Sequence, residues 1–146
     1  MTSPDPIRVL FVCTGNSARS VMAEALLRHH GAERFEVFSA GTEPKGVNPC
    51  TLRVLAESGI DASFARSKSV DKFLGQSFDY VVTVCDQARQ SCPVFPGVHE
   101  SLHWGYEDPA GATGTDEERM AVFRKVFIQM AERVRQFAVV TARQPA

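Results

Sequence analysis

The chain has 146 residues, 44% hydrophobic and 23% charged, the balance of one globular domain with a single core. Its 16 basic and 17 acidic side chains give a net charge of −1 with no basic block, which argues against a nucleic-acid surface. No apolar run approaches a membrane span, and residues 1–6 lack the regions of a secretory signal. A cytoplasmic location is therefore expected, where the four cysteines are thiols at rest.

Ile7-Arg8-Val9-Leu10-Phe11-Val12 is a short apolar run rich in β-formers and reads as a buried strand. The period then changes. Over residues 17–30, Val21, Met22, Ala25 and Leu26 share one helical face, with Gly31 as a stop. Residues 35–39 read as a second strand ended by Gly41. Asn48 reads as the N-cap of a helix with Pro49 in its first turn and Gly59 as its stop. Residues 79–84 form a third strand and residues 98–102 a short fourth. Between them, Cys85 and Cys92 flank six residues that fit either a helical turn or a loop. Thr115 and Glu118 make a capping box. Behind it Met120, Phe123, Phe127, Met130, Val134 and Phe137 step by three and four along a closing amphipathic helix. Residues 1–6 and about 140–146 read as solvated tails. Without repeats or linkers, residues 1–146 are read as a single domain.

Strands alternating with helices imply right-handed βαβ units and a parallel sheet covered on both faces. Ligands of such sheets bind at the carboxyl ends of strands. Cys13 and Cys85 stand at two such ends.

The loop Cys13-Thr14-Gly15-Asn16-Ser17-Ala18-Arg19-Ser20 joins the first strand to the first helix. Its backbone N–H groups lack helical partners, and the helix dipole adds positive potential where they converge. Arg19 supplies a planar fork for two oxygens of a tetrahedral oxyanion. Cys13 sits in the same field, which favours its thiolate, and Ser20 can donate a hydrogen bond to it. Gly15 is expected to permit the tight turn and Asn16 to tie the loop to itself. Cys13 would otherwise be an ordinary buried cysteine and Arg19-Ser20 an ordinary first turn. A Walker-type nucleotide loop is ruled out, since Gly-Lys-Ser/Thr is absent.

The stretch from Val12 through Glu24 resembles the active-site loop of the low-molecular-weight tyrosine phosphatases and of the arsenate reductases that share their fold. The likeness continues through Ser39-Ala40-Gly41-Thr42, Gly59-Ile60-Asp61, Val82-Thr83-Val84-Cys85-Asp86, Cys92-Pro93-Val94-Phe95-Pro96-Gly97 and His103–Ala110. It implies an α/β, three-layer, single-domain fold with a four-stranded parallel sheet and helices on both faces. It also implies that Thr14, Gly15, Asn16, Ser17, Ala18, Arg19 and Ser20 bind the oxyanion.

Asp108-Pro109 taken alone is a turn, but matches the family's general-acid position, from which a carboxylic acid protonates a leaving oxygen. The aromatic residues that typically follow it in the phosphatases are replaced here by Ala110-Gly111-Ala112-Thr113, which points to a small inorganic oxyanion. The cysteine spacing resembles that of the thioredoxin-coupled reductases. The resemblance implies a relay from Cys13 to Cys85 to Cys92 that reduces arsenate to arsenite in arsenic detoxification, with thioredoxin as reductant. Phosphate and sulfate would compete with arsenate. The alternative is a low-molecular-weight protein tyrosine phosphatase. A zinc site on Cys85, Cys92, His99 and His103 is disfavoured by its spacing. Neither metal nor cofactor is expected, and the protein is expected to be a monomer.

Two departures from the family pattern stand out. Ala18 replaces a second loop cysteine that relatives often carry. Some relatives bind potassium through residues matching Asn16, Glu24 and Ser39 plus a later Thr and Asp, and Arg66 and Lys68 stand at those last two positions. No potassium site is therefore expected. Glu24, Ser39 and Lys68 are expected to support the loop, with the Lys68 ammonium holding Glu24 or Asn16. Cys50, at a helix start, is read as a bystander thiol.

Overall fold

The first strand carries the run Val9-Leu10-Phe11-Val12, every side chain fully buried, which a strand manages only between two covered faces. It is one of the two inner strands of the sheet. The computed structural model describes residues 5–97 and 99–142; the expectations for residues 1–4, Val98 and the last four residues lie outside it. The strands are β1 (Ile7–Cys13), β2 (Phe35–Gly41), β3 (Tyr80–Thr83) and β4 (Glu100–His103), all parallel, in the order β2-β1-β3-β4. The helices are α1 (Arg19–Gly31), α2 (Pro49–Glu57), α3 (Asp86–Ser91) and α4 (Asp116–Ala142). The α/β class and the parallel four-stranded sheet follow the sequence reading.

α1 and α4 pack on each other over one face of the sheet, where Phe137 of α4 meets the rings of Phe35, Tyr80 and Trp104. Met120, Phe123, Met130 and Val134 of α4 are buried as the three-four stepping demands. The opposite face is covered by an aromatic cluster of Phe38, Phe73, Phe78 and Phe95, drawn from β2, a 3-10 turn at Val70–Phe73 and two loops. Each large apolar side chain removed from water here contributes roughly 1.5–3 kcal/mol.

The caps match the sequence. Asn48 Oδ1 accepts the Cys50 N–H at 2.8 Å. The Thr115 and Glu118 side chains exchange reciprocal bonds at 3.1 and 3.0 Å. Gly59 ends α2 at φ +68°. Gly31 acts differently: it stays right-handed at φ −91°, and a Cβ there would lie 2.3 Å from the Phe35 ring. It is a close-approach glycine, and the chain runs on through a 3-10 turn at Ala32–Arg34 into β2.

Candidate active site

The loop between β1 and α1 is shaped by what its carbonyls do. The Cys13 carbonyl accepts from Thr42 N–H, that of Thr14 from Glu43, that of Gly15 from Lys45 and from the Ser67 hydroxyl, and that of Ser17 from Asn48 and the Thr51 hydroxyl. A trans peptide points its N–H opposite its carbonyl. Fastening these oxygens outward therefore turns the amide hydrogens inward, toward Cys13. Asn16 shows the result: its N–H donates to Cys13 Sγ at 3.2 Å. The wrap is tight enough that a Cβ on Gly41 would stand 2.5 Å from the Thr14 carbonyl oxygen.

Asn16, not Gly15, takes the left-handed backbone, at φ +45°. Asn tolerates that region better than most residues, and its buried side chain repays the strain. Asn16 Nδ2 donates to Ser20 Oγ at 2.7 Å and to Ser39 Oγ at 3.0 Å, and Oδ1 accepts the Lys68 N–H at 2.8 Å. Ser20 Oγ lies 2.8 Å from Cys13 Sγ. Because that oxygen already accepts from Asn16, its own hydrogen is free for the sulfur.

Behind this set, Ser39 Oγ donates to Glu24 Oε1 at 2.6 Å. The expectation for the Lys68 ammonium is corrected: Lys68 reaches the loop through its backbone N–H, while its Nζ donates to the Arg66 carbonyl at 2.8 Å. Burial pushes the Lys68 amine down, with Glu24 pulling the other way. Glu24 is instead paired by Arg28, one helical turn further along α1. The oxygens of Asn16, Glu24 and Ser39 thus face N–H and O–H donors, a set that does not fit a potassium cage.

Arg19 leans over the mouth, 12% exposed. Its Nη1 donates to the Tyr106 carbonyl at 3.1 Å, and its Nη2 stands 3.6 Å from Asp108 Oδ2. Asp108 caps the 3-10 turn Pro109–Gly111 by accepting the Ala110 N–H at 3.0 Å. Cys13, Thr14, Gly15, Ser17, Ala18, Arg19 and Asp108 line one cavity of about 330 Å³, closed beside Asp108 by Ala110 and Gly111 rather than by rings. Sequence reasoning missed two of its walls, Lys45 and Gln87. Lys45 follows the carboxyl end of β2, so the rule that ligands sit at such ends was the available signal.

The cysteines after β3 occupy the two ends of α3. Cys85 is its N-cap, accepting the Ala88 N–H at 3.4 Å, with Sγ 3.3 Å from Thr14 Oγ1. It is buried against the catalytic loop. Cys92 is the C-cap and lines a different, larger cavity of about 490 Å³ with Thr83, Arg89, His99 and His103. Burial pushes its thiol up from the ordinary value. Seven residues at 1.5 Å rise separate the two Cα atoms by roughly 10 Å. A disulfide tolerates about 7 Å, so α3 must unwind before the sulfurs can join. All four cysteines are free thiols. His103 bonds Thr83 Oγ1 at 2.8 Å and Asp86 Oδ1 at 2.9 Å, fastening the start of α3 to β4.

A cysteine, an arginine and a serine on an inward-facing amide loop after the first strand of a four-stranded parallel sheet define a class. The model of the low molecular weight phosphotyrosine protein phosphatase family matches residues 8–145, and the chain belongs to that family. Within the family its relatives include bacterial arsenate reductases. It is 45% identical to an arsenate reductase of Halalkalibacterium halodurans over 89% of this chain and 94% of that one. Among solved structures it is similar to the arsenate reductase of Archaeoglobus fulgidus, with TM-score 0.72 and 39% identity, covering 90% of this chain and 98% of that one. It is also similar to a thioredoxin-dependent arsenate reductase of Corynebacterium glutamicum, with TM-score 0.72 and 30% identity, covering 98% of this chain and 66% of that one. Among the described residues no helix is long and apolar enough to cross a membrane.

Proposed function

We propose that this protein reduces arsenate to arsenite through a relay in which the disulfide passes from Cys13–Cys85 to Cys85–Cys92 and thioredoxin supplies the electrons. The observation that carries the reading is α3, a six-residue helix capped at one end by a thiol touching the oxyanion loop and at the other by a thiol in a separate cavity.

The steps balance as thiol exchange. Cys13 thiolate attacks arsenate held by the loop amides and Arg19, and an arsenate oxygen leaves as water, protonated from Asp108. Cys85 thiolate then attacks Cys13 Sγ. The S–As bond breaks, its electron pair stays on arsenic as arsenite, and a Cys13–Cys85 disulfide forms. Cys92 thiolate attacks Cys85, freeing Cys13 and leaving Cys85–Cys92. That last bond requires residues 85–93 to change conformation. An external dithiol reduces it and is oxidised in turn.

The alternative, phosphotyrosine hydrolysis, uses the same first step, and the pocket retains Asp108 for it. The wall of Ala110 and Gly111 offers a substrate ring nothing to pack on. A coupled assay decides. With arsenate, thioredoxin, thioredoxin reductase and NADPH, the protein is expected to consume NADPH in step with arsenite release. No consumption beside brisk aryl-phosphate hydrolysis would overturn the reading.

A further inference from the structure

Arg28 lies outside the oxyanion pocket, yet a continuous chain of hydrogen bonds joins it to the nucleophile. Its Nε and Nη2 both donate to Glu24 Oε2, at 3.0 and 2.7 Å, and Nη2 also donates to the Val37 carbonyl at 3.1 Å. The guanidinium stacks over the Phe64 ring, 4.2 Å from its centroid, so it is fixed on two sides. Glu24, with a side chain only 3% exposed, holds the Ser39 hydroxyl; Ser39 holds Asn16; Asn16 holds Ser20; Ser20 meets Cys13.

The direction of each hydrogen in that chain is fixed from its outer end. A carboxylate has no proton to give, so Ser39 must point its hydrogen at Glu24 and turn a lone pair to Asn16. The Asn16 amide then faces its nitrogen to Ser39 and Ser20, and its oxygen to the Lys68 N–H. Ser20, accepting from Asn16, is left with its hydrogen for the Cys13 sulfur. The ordering holds while the Glu24 carboxylate keeps this place, where the Arg28 guanidinium is its counter-charge. The charged groups that bear on the pair are Lys68, whose ammonium is turned to the Arg66 carbonyl, and Asp61, on the other side of Arg28.

We infer that Arg28 is a positioning residue, holding the Glu24 carboxylate in place and so setting the polarity of the hydrogen-bond chain that ends on the Cys13 sulfur. This deepens the proposed function, since it rests on Cys13 being the nucleophile. Without Arg28, Glu24 Oε2 loses its partner and the carboxylate is free to turn away from Ser39. Ser39 is then free to turn, and the donor to Cys13 is no longer held.

The test reads Cys13 directly and needs no substrate. Iodoacetamide labelling of the Cys13 peptide is followed by mass spectrometry as a function of pH. Arg28→Gln is expected to slow labelling at neutral pH by about tenfold, the loss of roughly one charge-assisted hydrogen bond, and to move the profile to higher pH. Arg28→Lys, which keeps the charge, is expected to restore most of the rate. Ser39→Ala breaks the chain nearer the sulfur without leaving a buried charge alone, and is expected to shift the profile the same way even if Arg28→Gln does not fold. A Met130→Ala control, destabilised in the core of α4, is expected to keep the wild-type profile. The role of Arg28 falls if Arg28→Gln or Ser39→Ala superimposes on wild type, or if Met130→Ala shifts as far as they do. A wild-type Cys13 that resists labelling at every pH would instead overturn the reading of the loop, and this inference with it.

Discussion

The catalytic loop and helix α3 lie side by side at the carboxyl ends of β1 and β3 and are built on opposite terms. In the loop, Asn16 and Ser20 are fully buried, and the carbonyls of Cys13, Thr14, Gly15 and Ser17 and the Asn16 side chain are held by partners from other elements. In α3 only Ala88 is buried, and the helix is fastened mainly at its first turn, by Cys85 and by the Asp86–His103 bond. Binding a tetrahedral anion needs donors that do not move. Handing a disulfide across roughly 10 Å needs a segment that does. Rigidity and mobility are thus assigned to adjacent stretches, with the Thr14–Cys85 contact as the seam.

The largest expected effects come from exchanging one sulfur in each region. Cys13→Ser should lower arsenite release by at least about 10³-fold from the first turnover, because a serine hydroxyl is a far weaker nucleophile. Cys92→Ser should leave the first turnover nearly intact and stop there, with one arsenite per chain in a rapid-quench experiment. Repeated turnover by Cys92→Ser would show that α3 need not move at all.

A smaller effect, about tenfold per pH unit, should appear in the rate at which the disulfide moves from Cys13–Cys85 to Cys85–Cys92. Burial raises the Cys92 thiol, so its thiolate fraction at neutral pH is small and grows with pH up to the raised value. The stability sign follows. The folded state holds the Cys92 proton more tightly than the unfolded chain. The corresponding stability is complete below the unfolded value and is lost as pH rises through the folded one. Urea midpoints of wild type should therefore fall at alkaline pH relative to those of Cys92→Ala.

The smallest effect tests α3 alone. Gln90→Gly, at an exposed helical position, weakens the helix by about 1 kcal/mol. Since the oxidised form must unwind it, the Cys85–Cys92 midpoint should become more negative by about 20 mV in a thiol-ratio titration. An unchanged midpoint would mean the helix survives oxidation.

This contrast also decided what the sequence could disclose. β1, α1, α2 and α4 were legible because their apolar residues repeat with the period of the element and their caps are local. α3 reads in the sequence as either helix or loop, since Asp86-Gln87-Ala88-Arg89-Gln90-Ser91 offers one apolar side chain and so no periodicity. In the loop, glycine is the default for a left-handed position, which points to Gly15. It went to Asn16, whose side-chain bonds fall on residues far along the chain. Lys68, at a position where relatives bind a cation, points to itself as the partner of Glu24, while the pair that forms is the local i, i+4 one with Arg28. The second cavity, which Cys92 faces, is assembled from β3, β4 and the loop between them, and no local pattern announces it.

The strand order bears on how the chain assembles. β1 is made first and takes β2 along one edge within about thirty residues, as Ile7 pairs with Phe35. Its other edge waits for Tyr80, which pairs with Val9, and the outer strand comes later still, with Glu100 on Tyr80. Among the described elements, α4, which covers α1, comes last in the chain. Non-local pairing of this kind slows folding and leaves apolar strands open in the meantime. A ribosome-bound chain that has not yet made α4 leaves open the face of α1 that α4 covers and the rings of Phe35, Tyr80 and Trp104 that meet Phe137.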